Sequence, residues 1–153
     1  MTRELAPADL MAAAGRELQP SQWLEISQDR VNQFADATND HQFIHVDPER
    51  AARTPFGGTI AHGFLTLSLI IALVRDEMPV PEGAEVTVNY GSDKVRYLAP
   101  VRVGQRIRAR QTILEVAEKK PGQWLIKTNV TIEIEGSAKP ALVAEILLLH
   151  IVS

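Results

Sequence analysis

The sequence predicts an α+β fold in which one long buried helix is wrapped by an antiparallel β-sheet. Two observations carry this. The first half has apolar residues at helical spacing, ending in a segment around Phe64 to Val74 that is apolar nearly all round, as suits a helix buried on most sides. The second half reads as long alternating strands joined by tight turns. The 153 residues, 45% hydrophobic and 23% charged, suit one domain with a real core. No Gly, Ser or Pro linker and no internal repeat divides the chain, so residues 1–153 are read as a single domain.

The elements follow in order. Residues 7–14 suit a short helix with Pro7 near its start, and 22–26 a short strand. Ser27 can cap a helix over 28–38, where Val31, Phe34, Ala35 and Thr38 share a face. Asn39 and Asp40 read as a helix end and a loop. Asp47-Pro48-Glu49 opens another short helix: Asp47 caps it, Pro48 has the fixed φ of a first position, and Glu49 faces the positive helix end. The segment 54–58 is a flexible connection, and the main helix is expected over 61–78, stopped by Pro79 and Pro81. Strands follow over 85–90 and 94–98 with a bulge at Gly91-Ser92-Asp93, over 106–116 and 124–135 around a turn at Lys119-Lys120-Pro121-Gly122, and finally to residue 151. The last strand, with Leu142, Val143, Ile146 and Leu148, needs an edge partner or a cover, which predicts a dimer.

Composition narrows the function. The net charge is −3 and no basic-aromatic stripe occurs, which argues against a nucleic-acid partner. The absence of cysteine removes disulfides, thiolate metal sites and a cysteine nucleophile together. The N-terminus, interrupted by Glu4 and Asp9, does not read as a signal peptide, and the longest apolar run is too short to span a bilayer. The expectation is a cytoplasmic protein with no membrane partner.

Asp40 and His45 are the first chemical candidates. A carboxylate and an imidazole brought together in a cleft can polarise one water, one accepting a proton while the other donates. On spacing alone, an Asp that caps a turn and a His held by one hydrogen bond explain the pair at least as well. His41 and His45 also lie four apart, with Asp40 and Asp47 nearby, but the segment lacks convincing helical character and the expectation is no metal site. His62-Gly63 begins the buried helix, where free N–H groups favour developing negative charge and Gly63 lets a carbonyl approach closely. Packing glycines explain that pattern equally well. Lys94, Arg96 and Arg102 could meet coenzyme phosphates or simply face solvent. Ser68 and Ser92 lack a nucleophile context, and no phosphate-binding glycine loop occurs.

The stretch Phe34-Ala-Asp-Ala-Thr-Asn-Asp-His-Gln-Phe-Ile-His-Val-Asp-Pro-Glu-Arg-Ala51, followed by Ile60-Ala-His-Gly-Phe64, resembles the MaoC-like dehydratase family and, within it, the R-specific enoyl-CoA hydratases. Asn89-Tyr90-Gly91 and Lys94-Val-Arg-Tyr-Leu-Ala-Pro-Val101 extend the likeness over nearly the whole chain, which is most similar to the NodN-like branch with its mycobacterial R-hydratases. The resemblance implies a hot-dog fold, usually a homodimer. It implies a hydro-lyase that adds water reversibly to a trans-2-enoyl-CoA or enoyl-carrier-protein thioester, giving the R-3-hydroxyacyl product. No cofactor or metal is implied beyond the CoA of the substrate. Asp40 and His45 would be the catalytic pair, with Asp40 activating water and His45 giving the proton. Gly63 and His62 would serve the thioester oxygen, Gln42 would orient His45, and Lys94 and Arg96 would contact CoA. Asn39 stands where the family commonly has Gly, and Gln42-Phe43 where many members have Asn-Pro. Asn tolerates a left-handed backbone, so the turn can survive. An acyl-thioester hydrolase on the same fold and a non-catalytic acyl-thioester binding protein are the competing readings.

Overall fold

The computed structural model describes residues 3–153. The helices are α1 (Pro7–Ala12), α2 (Gln28–Thr38), α3 (Phe43–Val46), α4 (Pro48–Ala52) and α5 (Gly63–Val74). Five strands, β2 (Leu24–Glu25), β4 (Ala84–Tyr97), β5 (Arg106–Lys120), β6 (Gln123–Ile134) and β7 (Leu142–Val152), form one antiparallel sheet in the order β2-β5-β6-β7-β4. β1 (Arg3–Leu5) and β3 (Pro79–Pro81) pair in parallel as a separate small ribbon. This is the α+β hot-dog arrangement: a curled sheet with α5 laid against its inner face.

The sheet follows the alternation of its strands. Inward residues of β5, β6 and β7, among them Ile107, Val130, Ile132, Leu142 and Ile146, are buried against Leu65, Leu69, Ile70 and Val74 of α5. Each such side chain removed from water stabilises the fold by roughly 1.5–3 kcal/mol. Leu10, Ile113, Trp124 and Ile126 make a second, smaller cluster under α1.

The local signals hold where they depend on neighbouring residues. Ser27 Oγ accepts from the Arg30 N–H, and Asp47 Oδ1 from the Arg50 N–H. β4 runs as one strand, with register shifts after Asn89 and after Asp93 that absorb the expected bulge.

Four expectations are corrected. The main helix spans 12 residues, about 18 Å at the usual rise, not 61–78. Before it, the Ala61 N–H donates to the Val101 carbonyl and Ile60 bridges Arg102, so this stretch is extended; after it, turns reach Met78 and Pro79–Pro81 are taken into the ribbon. Nor is α5 buried all round, because Phe64 is 70% and Ile71 36% exposed. The expected strand 22–26 shrinks to two paired residues, and the supposed loop at 43–46 closes one helical turn, with the Asp47 N–H on the Phe43 carbonyl.

Candidate active site

The site is assembled where α2 ends, α3 turns and α5 begins. Asn39 closes α2 in the left-handed region (φ 58°, ψ 29°), the conformation its residue type tolerates. That sharp exit places Asp40 beside α3. Asp40 Oδ1 accepts from the Gln42 N–H at 3.3 Å, an Asx-type turn, and the carboxylate stays 54% exposed.

His45 is held on three sides. Its ring Nδ1 lies 2.6 Å from the Ile60 carbonyl, its N–H donates to the Gln42 carbonyl, and its own carbonyl accepts from Gln28 Nε2 at 2.7 Å. Gln28 is fixed in turn by the Thr59 hydroxyl, which donates to Oε1 at 2.6 Å. A carbonyl only accepts, so Nδ1 carries the proton and the neutral ring presents Nε2 as a lone pair. Burial is the main influence pushing the His45 pKa below its ordinary 6.5; the Ile60 bond and Asp40 oppose it, and the His62 ring adds to it. The imidazole is therefore neutral near pH 7.

His62 is 3% exposed and caps α5 from an extended backbone. Its Nε2 lies 2.9 Å from the Asp40 carbonyl, to which it donates, and its ring stacks on His45 with centroids 3.8 Å apart. Phe34 of α2 backs it at 4.9 Å. His62 thus lies behind Asp40 and His45 and does not line the cleft.

That cleft has a volume of about 480 Å³. His45, Phe56, Ile60, Gly63, Thr66 and Tyr97 form part of its largely apolar wall. Gly63 is the first residue of α5, and its N–H donates to no acceptor among the described residues. A helix start with a free N–H stabilises negative charge on a nearby oxygen. The Tyr97 ring lies so close that a Cβ on Gly63 would be 2.9 Å from Tyr97 Cε1.

The structure brings Asp40, His45, His62 and Gly63 together. Among the described residues Gln42 makes hydrogen bonds through its backbone only; the groups that orient His45 are Gln28 and the Ile60 carbonyl. Lys94 pairs with Glu145 at 3.4 Å, Arg96 donates to the Val95 carbonyl, and neither lines the cleft. Gln28, Thr59 and Tyr97 are functional candidates that the sequence reading passed over. Gln28 looked like any helix residue, and Tyr97 lay inside the Lys94–Val101 stretch without a role assigned to it.

Asp40, His45 and His62 each offer one donor atom, and these lie within 4.8 Å of one another. The two rings are only 23° from parallel, so their in-plane lone pairs run side by side and do not converge on one ion. With Nδ1 of His45 and Nε2 of His62 already on carbonyls, the set fits a water or substrate oxygen better than tetrahedral metal coordination.

Residues 9–136 match the family model described as a MaoC like domain. The chain is 51% identical over 144 residues to 3-hydroxyacyl-thioester dehydratase Z of Mycobacterium tuberculosis, covering 94% of this chain and 95% of the relative. It is 47% identical over 142 residues to Nodulation protein N of Rhizobium leguminosarum bv. viciae, covering 92% and 88%. Among solved structures it is similar to the (R)-hydratase of A. caviae involved in PHA biosynthesis, with a TM-score of 0.71, 25% identity, and 88% and 94% of the two chains covered.

Proposed function

The chain belongs to the MaoC-like dehydratase family of hydro-lyases, and from that premise we propose that it catalyses the reversible hydration of a trans-2-enoyl-CoA to an R-3-hydroxyacyl-CoA. The observation that carries this reading is the free Nε2 of a neutral, buried His45, grouped with the Asp40 carboxylate beside an apolar cleft that also holds the unpaired Gly63 N–H.

The chemistry follows from the protonation states. An ionised Asp40 and a neutral His45 are both acceptors, so one water can donate a hydrogen to each and aim its oxygen at the β-carbon. As the C–O bond forms, His45 Nε2 takes the proton, and electron density moves through the α-carbon onto the thioester oxygen. The Gly63 N–H stabilises that oxygen. His45 then returns the proton to the α-carbon, so H and OH are both accounted for and the residue ends neutral. Asp40 stays ionised, holding the water and stabilising the transient imidazolium. In this scheme His45 takes the base step expected of Asp40 and keeps the donor step. No metal or redox group enters this scheme.

The acyl chain would lie along the apolar wall beside α5. A homodimer fits the exposed apolar residues Phe64 and Ile71 of α5 and Val86, Val88 and Tyr90 of the edge strand β4. Among the described residues no helix is long and apolar enough to cross a membrane. A cytoplasmic location fits the expected CoA substrate.

A substrate panel tests the proposal. Purified protein incubated with crotonyl-CoA and longer enoyl-CoAs should consume the conjugated double bond and yield the R-3-hydroxyacyl product. Release of free CoA from saturated acyl-CoAs would mark a thioesterase instead. Enoyl-CoA binding without product would mark a binding protein.

A further inference from the structure

We propose that the cavity beside the Gly57-Gly58 turn, walled by Arg102, is an anion subsite that receives the phosphate of the phosphopantetheine arm carrying the acyl group; this assignment rests on the hydratase reading of the adjoining cleft. The cavity holds about 440 Å³. It adjoins the acyl cleft along two segments: Phe56 and Val101 line the cleft, while the next residues, Gly57 and Arg102, line the cavity. The bridge between Ile60 and Arg102, made by the Ala61 and Val103 N–H groups, ties those segments together, and the Ile60 carbonyl between them holds His45. A substrate lying over His45 can thus lead its arm past Phe56 to Arg102 without leaving the surface of these two segments.

The wall is built for an anion. Arg102 Nη1 donates to the Phe56 carbonyl at 3.3 Å, which fixes the guanidinium and leaves its other donors available. The arginines that form ion pairs are Arg75, Arg106, Arg108 and Arg110; among the described residues no carboxylate neutralises Arg102, and none lines the cavity. The N–H groups of Gly58 and Thr59 donate to no acceptor among the described residues. Gly57 sits at φ 71° and ends a turn in which the Phe56 and Gly57 N–H groups are held by Thr54, so the N–H groups that stay available begin at Gly58. The missing side chain of Gly57 matters as well, since a Cβ there would stand 3.3 Å from Arg102 Nη1. The amides of Gln28 and Gln105 complete a polar, uncharged rim. A planar guanidinium with free backbone N–H groups is the donor set that phosphate oxygens fit. Lys94 is the poorer candidate for this task because Glu145 already neutralises it.

Coenzyme A and an acyl-carrier protein both present this phosphopantetheine phosphate. Wild type, Arg102→Ala and Arg102→Lys are to be compared on crotonyl thioesters of pantetheine, phosphopantetheine, coenzyme A and a carrier protein, with thermal melts to confirm folding. The expected result is that Arg102→Ala lowers the kcat/KM ratio of the phosphopantetheine to the pantetheine thioester about tenfold, through KM, and Arg102→Lys lowers it less. An unchanged ratio overturns the proposal. A parallel loss on coenzyme A and carrier-protein thioesters supports the shared phosphate; a loss confined to coenzyme A overturns it, because the contact is then to a phosphate that only coenzyme A carries. If wild type hydrates none of these thioesters, the hydratase reading falls by itself and calorimetry with free phosphopantetheine judges the subsite. Binding to wild type that weakens about tenfold in Arg102→Ala supports it, and equal or absent binding overturns it.

Discussion

The imidazole of His45 lies against that of His62, with ring centroids 3.8 Å apart and planes 23° from parallel. One ring belongs to the turn of α3, the other precedes α5, and the second also holds the Asp40 carbonyl. Asp40 and His45 are therefore positioned through a shared third residue.

His62→Phe keeps a ring for the stack but removes the donor to Asp40 and the imidazole's electrostatic effect on His45. Because the His62 ring helps hold the His45 pKa down, its loss raises that pKa toward the ordinary value. A base must be neutral, so the acid limb of kcat/KM moves to higher pH, and kcat falls by about tenfold or more. His62→Asn, which can still donate to the Asp40 carbonyl, should recover part of kcat but not the wild-type pH limb. A pH-rate profile that keeps its wild-type limb in both variants would contradict this coupling.

Gly63→Ala retains the N–H but drives a Cβ to 2.9 Å from the Tyr97 ring. The ring must swing away or the start of α5 must shift, and kcat/KM should fall by about tenfold, since positioning errors near the reacting atoms are costly. The same substitution should cost less in a Tyr97→Ala background, where the space is open. Kinetics on the four members of this double-mutant cycle measure the difference. Additive losses would mean that Tyr97 does not set the tolerance at Gly63.

His150 on β7 is 1% exposed, and its Nδ1 is bonded to the Thr87 hydroxyl at 2.9 Å. Burial lowers its pKa from 6.5 to about 4. The unfolded chain then binds a proton that the folded chain refuses, so this stability is present above pH 6.5 and is lost as pH falls toward 4. The loss is on the order of 3 kcal/mol across that window. Urea denaturation at several pH values should show a shallower acid slope in His150→Gln than in wild type. Equal slopes would mean that His150 is not a principal source of acid sensitivity.

The parts of this structure that were legible in the sequence are those with local causes. Ser27 and Asp47 cap helices through bonds to N–H groups three residues on, and Asn39 takes the left-handed conformation its residue type allows. The alternating strands of the second half were legible as a sheet, but that Leu142, Ile146 and Leu148 are covered within the chain was not, because β7 lies between β6 and β4. The bounds of α5 were hidden because Ala61 is drawn into extended backbone by the distant Val101 carbonyl, and Pro79–Pro81 by Arg3–Leu5. In the candidate site, the nearness of Asp40, His45 and His62 was expected from the stretch that carries the resemblance. The tautomer of His45 was not, because it depends on a backbone carbonyl brought from Ile60. Gln28 and Tyr97 act by position, and Arg102, named beside Lys94 and Arg96 as a possible phosphate contact, was set apart from Lys94 only by its lack of an acidic partner among the described residues.

The most direct test of the Asp40–His45 site is the hydration rate of crotonyl-CoA by wild type beside Asp40→Asn and His45→Gln, each checked for folding by thermal melt. The expected result is turnover by wild type to the R-3-hydroxy product and a loss of about a hundredfold or more in kcat for each variant. An inactive wild type, or variants that keep wild-type rates, would contradict it.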